Sequence, residues 1–314
     1  MEIIKPMEPI LSKIIPQCDE WIHQIKWDGI RGLSYINNNS IVVLTKKGNE
    51  RTAFYPELQE VIQLLQGKEA ILDGEMVVFD NQGRPSFANI LMRERIRTFE
   101  RLNQYLVKYP VKYIVFDILY LDGKDLRKKS LIQRKKILND KMSKSPNISI
   151  TDDFDDGHAL YKLMKDQNLE GIVSKKKNSV YIEGKSHNEW LKIKALKKIL
   201  VIVGGIQLKN DYPSSLMIGV YRDAQLEYIG NVSSGLKSSD YQLLQSYKEE
   251  LGSTVSPFVN YQKSDKGHFW IRATITCWVQ FMEWTSTGGL RHPTLIGFSS
   301  LDVLEANGKE YILD

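Results

Sequence analysis

A lysine, an aspartate, a glycine and an arginine stand close together in the stretch Gln24-Ile25-Lys26-Trp27-Asp28-Gly29-Ile30-Arg31. A lysine held out of water or beside other cations gives up its proton more readily and can attack an electrophile. Asp28 suits a proton or a metal ion, Gly29 lets backbone approach a ligand, and Arg31 suits a phosphate or a ribose. The same residues also fit a charged hairpin that turns at Asp28-Gly29 and does no chemistry. Both flanks, Trp21-Ile22-His23 and Gly32-Leu33-Ser34-Tyr35-Ile36, have strand character, so Lys26 sits at a strand-to-turn junction.

Further candidates lie downstream on short, strand-like runs. Residues 70–80 form a strand whose alternation puts Asp73 and Glu75 on one face. Residues 111–121 are a long apolar run closed by Asp122-Gly123, a central strand in which Phe116 and Asp117, taken alone, read as core and cap. Glu170-Gly171-Ile172-Val173-Ser174-Lys175-Lys176-Lys177 is a short strand with an acid at its head and three lysines at its tail. In Trp190-Leu191-Lys192-Ile193-Lys194 the alternation is strict, so both lysines share a face. Like charges so placed repel, and an anion between them is expected.

The elements that must position these groups follow from punctuation and period. Residues 1–20 carry Pro6, Pro9 and Pro16 and run extended. A strand at 40–45 delivers Lys46, and residues 56–65 fit a helix with Pro56 in its first turn. A helix over 89–106 bears Arg93, Arg95, Arg97 and Arg101, read as a solvated charged face. The basic cluster 124–136 enters a helix at Ser130, which with Gln133 fits a capping pair, and another helix covers 158–167. Composition shifts after Lys197-Lys198. Short strands at 201–207, 215–222, 225–232 and 271–284, interrupted by one helix at 238–251, suggest a small barrel of the oligonucleotide-binding (OB) type. The fold class is α+β: domain 1–197 of antiparallel sheets with flanking helices, then an all-β OB-fold barrel at 198–314.

Composition narrows the function classes. The 314 residues suffice for two domains, and 42% hydrophobic with 26% charged residues describes a globular chain. No apolar run approaches a membrane span and the N-terminus is no signal peptide. Two cysteines, Cys18 and Cys277, give no disulfide framework, which points to a reducing cytoplasm, and the five histidines have no zinc spacing. A net charge of +5 allows a polyanionic partner. Gly184-Lys185-Ser186 lacks the preceding glycine of a P-loop.

Taken in order, Lys26-Trp27-Asp28-Gly29-Ile30-Arg31, Leu72-Asp73-Gly74-Glu75, Tyr113-Ile114-Val115-Phe116-Asp117, Glu170-Gly171-Ile172-Val173 and Trp190-Leu191-Lys192-Ile193-Lys194 resemble the covalent nucleotidyltransferases, and among them the ATP-dependent DNA ligases. Phe281-Met282-Glu283-Trp284-Thr285, followed by Gly289-Leu290-Arg291-His292-Pro293, looks most like the ligase module of bacterial non-homologous end-joining ligases. The resemblance covers nearly the whole chain. It implies a nucleotidyltransferase (adenylation) domain, an OB barrel that closes over it, and three steps. Lys26 attacks the α-phosphate of ATP, AMP passes to a DNA 5′-phosphate, and the adjacent 3′-hydroxyl displaces AMP. Lys192 and Lys194, with Mg2+ (or Mn2+), would neutralise phosphate charge. Glu170 and Glu75 would hold the metal, Phe116 would stack on adenine, and Arg31 and Glu75 would contact ribose. Gln24, Ile25 and Lys46 complete the nucleotide-contacting set. Asp28 would act in a later step, on DNA ends or metal, and Arg291 on the β- and γ-phosphates.

Three departures from the family pattern stand out. Gln24 occupies the position of an acid that reads the adenine amino group, and an amide oxygen can accept the same bond. Thr45-Lys46 replaces the usual Ser-Arg, keeping charge but losing bidentate geometry. The last motif is reduced to Arg291-His292-Pro293. The competing readings are an RNA ligase, a capping guanylyltransferase, or a non-catalytic nucleic-acid-binding module. The expected partners are nicked or broken duplex DNA, contacted through Lys128-Lys129 and Lys175-Lys176-Lys177, with a Ku-like end-binding protein or a polymerase module. No stretch reads as a DNA-encircling N-terminal domain. The expected setting is cytoplasmic, at a bacterial nucleoid.

Overall fold

The computed structural model describes residues 2–246, 248–262, 267–285 and 287–312. The chain divides into two compact units, Met1–Ala195 and Leu196–Asp314.

The first unit contains, in order, strands β1 (Glu8–Leu11), β2 (Trp21–Ile25), β3 (Ile30–Asn37) and β4 (Ser40–Thr45), then the short helix α1 (Val61–Leu64) and β5 (Glu69–Val78). Helices α2 (Phe87–Glu94) and α3 (Phe99–Lys108) precede β6 (Val111–Leu121), β7 (Lys124–Asp125), α4 (Leu131–Lys141) and β8 (Ile148–Ile150). Then come α5 (Gly157–Asp166), β9 (Gly171–Lys176) and β10 (Ser186–Lys194). These strands form two sheets, β1-β10-β9-β2 and β4-β3-β5-β6-β7, with β8 added to β6. Pairing is antiparallel except at β1–β10 and β6–β8.

The hairpin reading of Asp28-Gly29 is overturned, because β2 and β3 belong to different sheets. Lys26 lies where the chain crosses from one sheet to the other. Gly29 lines the cleft that Lys26 faces, and it also packs closely on its neighbours. A Cβ there would lie 2.3 Å from the Met76 carbonyl oxygen, so the glycine lets the crossing pack on β5.

The arginine-rich helix expected over 89–106 is two helices. The break follows from Arg51, whose guanidinium donates to the carbonyls of Glu94 (2.8 Å) and Ile96 (3.1 Å) and so ends α2. Arg93 is not a solvated group. It is fully buried, donating to the Glu57 carboxylate at 3.0 and 3.1 Å and to the Phe54 carbonyl at 2.8 Å. The basic segment before α4 is likewise partly structural. Ser130 and Gln133 do form a capping box, but Arg134 and Lys135 are buried beneath it. Helical period carries them inward, where each meets an acid.

Among the described residues, the second unit is built mainly of strands, with two α-helices and one short 3-10 turn at Val303–Glu305. β11 (Lys197–Lys209), β12 (Tyr212–Arg222) and β13 (Gln225–Val232) lead to α6 (Ser238–Ser246) and α7 (Lys248–Leu251). β14 (Gly252–Ser253), β15 (His268–Phe281), β16 (Thr294–Ser299) and β17 (Glu310–Ile312) follow. The order is β13-β12-β11-β15-β14, with β16 on β15 and β17 on β11, all antiparallel, in an OB-fold domain. β11 starts earlier than the apolar run at 201–207, because Lys197 and Lys198 pair with β15 and β17 and Lys197 meets Glu310 at 2.7 Å. Its core is the inward row Val201, Val203, Ile218, Val220 and Ile229.

In the first unit, Arg134 on α4 and Asp117 on β6 form an ion pair with no solvent exposure, with both bonds at 2.8 Å. Truncating one partner strands the other charge in the core, a loss of about 3–5 kcal/mol. Asp117→Ala is therefore expected to lower unfolding free energy by that amount in a urea titration. A change under about 1 kcal/mol would show that water reaches the pair.

Candidate active site

Lys26 leaves β2 with its amide bonded to the Gly171 carbonyl at 2.9 Å, which fixes it at the head of β9. Gly171 has φ +130, and a Cβ there would come within 2.1 Å of the Ile193 carbonyl oxygen. That conformation is open to glycine almost alone. It delivers the preceding residue, Glu170, to the lysine: Lys26 Nζ to Glu170 Oε2 is 2.6 Å. Register does the rest. Lys194 pairs with Gly171 across β9 and β10, and its Nζ lies 3.3 Å from Glu170 Oε1. One carboxylate thus joins two ammonium groups. Lys192, one step along the same face, has its pKa lowered by burial and by the charges of Lys26 and Lys194.

Gln24, Val173 and Lys192 form the next row across these strands, and all three line a cleft of about 640 Å³. Ile25, Lys26, Arg31, Lys46, Glu75 and Phe116 also line it. Glu170 and Lys194 are not part of this lining and connect to it through Lys26. Asp28 is half-buried and outside the lining, and Arg291 belongs to the second unit, where it meets Glu283 at 2.8 Å.

Several of these groups are already engaged. Arg31 donates to both Asp73 oxygens (2.8 and 2.5 Å) and to the Met7 carbonyl (2.6 Å), with its guanidinium 5.3 Å from the Phe116 ring centre. It braces the ring as much as it faces the cleft. Lys46 meets Glu8 at 2.5 Å on the exposed rim. Phe116 is half-buried, edge-on to Trp190 at 6.4 Å, and presents a flat apolar surface. Glu75 lines the same wall. Burial pushes it up to about 8, although Lys26 and Arg31 draw it down.

Lys175 corrects the expected DNA-contacting cluster. It is 3% exposed and lines the cleft, with its ammonium 4.2 Å from the centre of the Phe116 ring and 4.1 Å from that of Trp190. Burial pulls its pKa down to about 7. The sequence carried a signal for this in strand period, since Lys175 alternates with Val173 and shares its face. Asp153 carried none: it sits in the loop after β8 and takes the Gln24 amide at 2.7 Å and Lys135 at 2.9 Å.

For a metal, the described residues offer no group of three or more His, Cys, Asp or Glu. The donors expected from the sequence, Glu170 and Glu75, are single carboxylates, and Glu8 and Glu94 also line the cleft. That set suits a hard divalent ion that keeps water and shares substrate phosphate oxygens, as magnesium does. No helix among the described residues is long and apolar enough to cross a membrane.

Comparison with known proteins bears on the family. The model of the ATP dependent DNA ligase domain matches residues 2–194, and that of the ATP dependent DNA ligase C terminal region matches residues 209–300. The bifunctional non-homologous end joining protein LigD of Bacillus subtilis is 27% identical over 311 residues, covering 93% of this chain and 48% of that protein. The multifunctional non-homologous end joining DNA repair protein LigD of Mycobacterium tuberculosis is 27% identical over 288 residues, covering 90% and 36%. The chain thus spans about half or less of the length of these relatives. A solved mycobacterial DNA ligase D complexed with ATP and MES superposes with TM-score 0.55 at 25% identity, covering 96% of this chain and 97% of that one.

Two groups lining the cleft give opposite pH signatures. Lys175 titrates near 7 in the fold against an ordinary 10.5, so in that window the unfolded chain holds the extra proton and stability rises with pH. Glu75 titrates near 8 against 4.5, so there the folded chain holds the proton and stability falls as pH rises through the window. Lys175→Met should therefore raise the melting temperature by a few degrees more at pH 6 than at pH 9. Glu75→Gln should do the reverse. Equal gains at both pH values would refute the two titrations.

Proposed function

The chain belongs to the family of ATP-dependent DNA ligases, and we propose that within it Lys26 carries the nucleotide and that the first unit performs adenylation. The observation that carries this reading is the Glu170 carboxylate shared by Lys26 and Lys194 at the cleft wall. Lys26 Nζ bonds to the α-phosphorus of ATP as the bond to the β-phosphate breaks, and pyrophosphate leaves. The proton on Lys26 has an acceptor 2.6 Å away in Glu170. An oxygen of the DNA 5′-phosphate then displaces the lysine from phosphorus, and the 3′-hydroxyl displaces AMP to close the strand.

Lys192 and Lys194 hold the charge of the phosphate in flight. Phe116 takes the base, and Glu75, with Arg31 behind it, takes the ribose. Magnesium, held by Glu170 or Glu75 together with phosphate, supplies further neutralisation of the non-bridging oxygens when bound. Asp28, outside the cleft lining, is assigned to the later DNA steps, and Arg291 to the release of pyrophosphate. The OB-fold unit is assigned to DNA. The names of the LigD relatives support a setting in non-homologous end joining. Nicked or broken duplex is the substrate we propose, with a Ku-like protein or a polymerase module as partner and a bacterial nucleoid as the setting.

The reading predicts ATP- and magnesium-dependent sealing of a nicked duplex bearing a 5′-phosphate. Glu170→Ala should lower the sealing rate at least about a hundredfold, as expected for loss of a positioned proton acceptor. Unimpaired sealing would exclude Glu170 from the reaction. Arg291→Ala should slow sealing from ATP more than sealing of a nick that already carries AMP. Equal loss in both would move Arg291 to DNA binding or folding.

A further inference from the structure

Gln24 is buried at 2% exposure, two residues before Lys26 on the same side of the strand, and both side chains line the cleft. A glutamine amide has a donor end and an acceptor end of nearly equal size, so its orientation must be fixed by its neighbours. Here the donor end is committed. Nε2 gives its hydrogen bond to Asp153 Oδ1 at 2.7 Å. The same oxygen meets Lys135 Nζ at 2.9 Å, and Lys135, 2% exposed, also donates to the Thr151 carbonyl at 2.9 Å. A carboxylate accepts and does not donate. If the amide turned over, Oε1 would face that carboxylate, oxygen against oxygen, at a buried position. Among the described residues nothing donates to Oε1. The acceptor end is therefore what the cleft is offered.

We propose that Asp153 is a positioning residue for base selectivity: anchored by Lys135, it locks the Gln24 amide with its oxygen toward the cleft. There it accepts a hydrogen bond from the amino group of adenine and disfavours purines that carry an oxygen in its place. This rests on reading the cleft as the ATP site. An acid at position 24 would present oxygen whichever way it turned. A glutamine reads the base reliably only when something holds its nitrogen, and Asp153 does so from a loop outside the cleft lining. A purine with a carbonyl at that edge sets two acceptors against each other and leaves both unpaired, which is more costly than losing one bond.

The test is covalent nucleotidylation of the full chain, read by intact mass across concentrations of ATP and of inosine triphosphate, which has oxygen where adenine has its amino group. The wild type should be labelled preferentially from ATP. In Asp153→Ala nothing accepts from the Gln24 nitrogen, so the lock on Gln24 is gone. The ATP-to-inosine preference should fall about fivefold to tenfold, the worth of one hydrogen bond. Adding Gln24→Glu to Asp153→Ala restores a group that can only accept, and the preference should return. A merely structural role for Asp153 would lower both rates together and show no such rescue. A preference within about twofold of wild type in Asp153→Ala would overturn the inference. If that variant is too unstable to label, Gln24→Met, with Asp153 and Lys135 intact, must also lose the preference, and an unchanged ratio there overturns the inference equally. Absence of any label on wild-type Lys26 would instead remove the ATP-site reading beneath it.

Discussion

The site depends on one carboxylate holding two ammonium groups. Glu170 brings Lys26 and Lys194 together, and both contacts exist because Gly171 takes a backbone conformation that a side chain would forbid. Three lysines on one small surface repel each other, and this adds to burial in lowering the pKa of Lys192. One acid offsets only part of that charge. What remains is a preformed site for an anion, and a polyphosphate completes it better than any further side chain could.

The lysine is placed by topology as much as by its motif. It stands at the crossing between two sheets, pinned to β9 on one side and, through Gly29, packed on β5 on the other. A side chain between two sheets is held by both, which would limit the freedom of the proposed nucleophile before substrate arrives. Around it the walls are braced by buried ion pairs: Arg31 with Asp73, Arg134 with Asp117, Lys135 with Asp153. Such pairs add little net stability, because desolvation cancels most of their attraction. Their geometry is directional: the Arg31 pair ties β3 to β5, the Arg134 pair ties α4 to β6, and the Lys135 pair ties α4 to the loop after β8. These pairs therefore brace the cleft around the proposed base and phosphate contacts.

Much of this was legible in the sequence. The period of 2 in residues 190–194 put both lysines on one face, and the acid at the head of β9 was visible beside its glycine. The OB-type domain followed from closely spaced strands and one helical stretch. What was hidden involves long-range partners. Arg93, Arg134 and Lys135 look like solvated charge in a linear reading, and only tertiary packing supplies the acids that bury them. Lys175 was read as part of a basic run, although its neighbours on the strand face are Val173 and, across β10, Trp190. The Asp28-Gly29 turn misled for a related reason. A hairpin signal is local, whereas the choice of sheet is decided by pairing partners far along the chain.

The most direct test of the central claim is the identity of the labelled residue. After incubation with ATP and magnesium, mass analysis of the intact chain and of its peptides should find one AMP, bound to Lys26 and absent from Lys26→Ala. An adduct on Lys192, Lys194 or Lys175, or one that survives Lys26→Ala, would contradict the account.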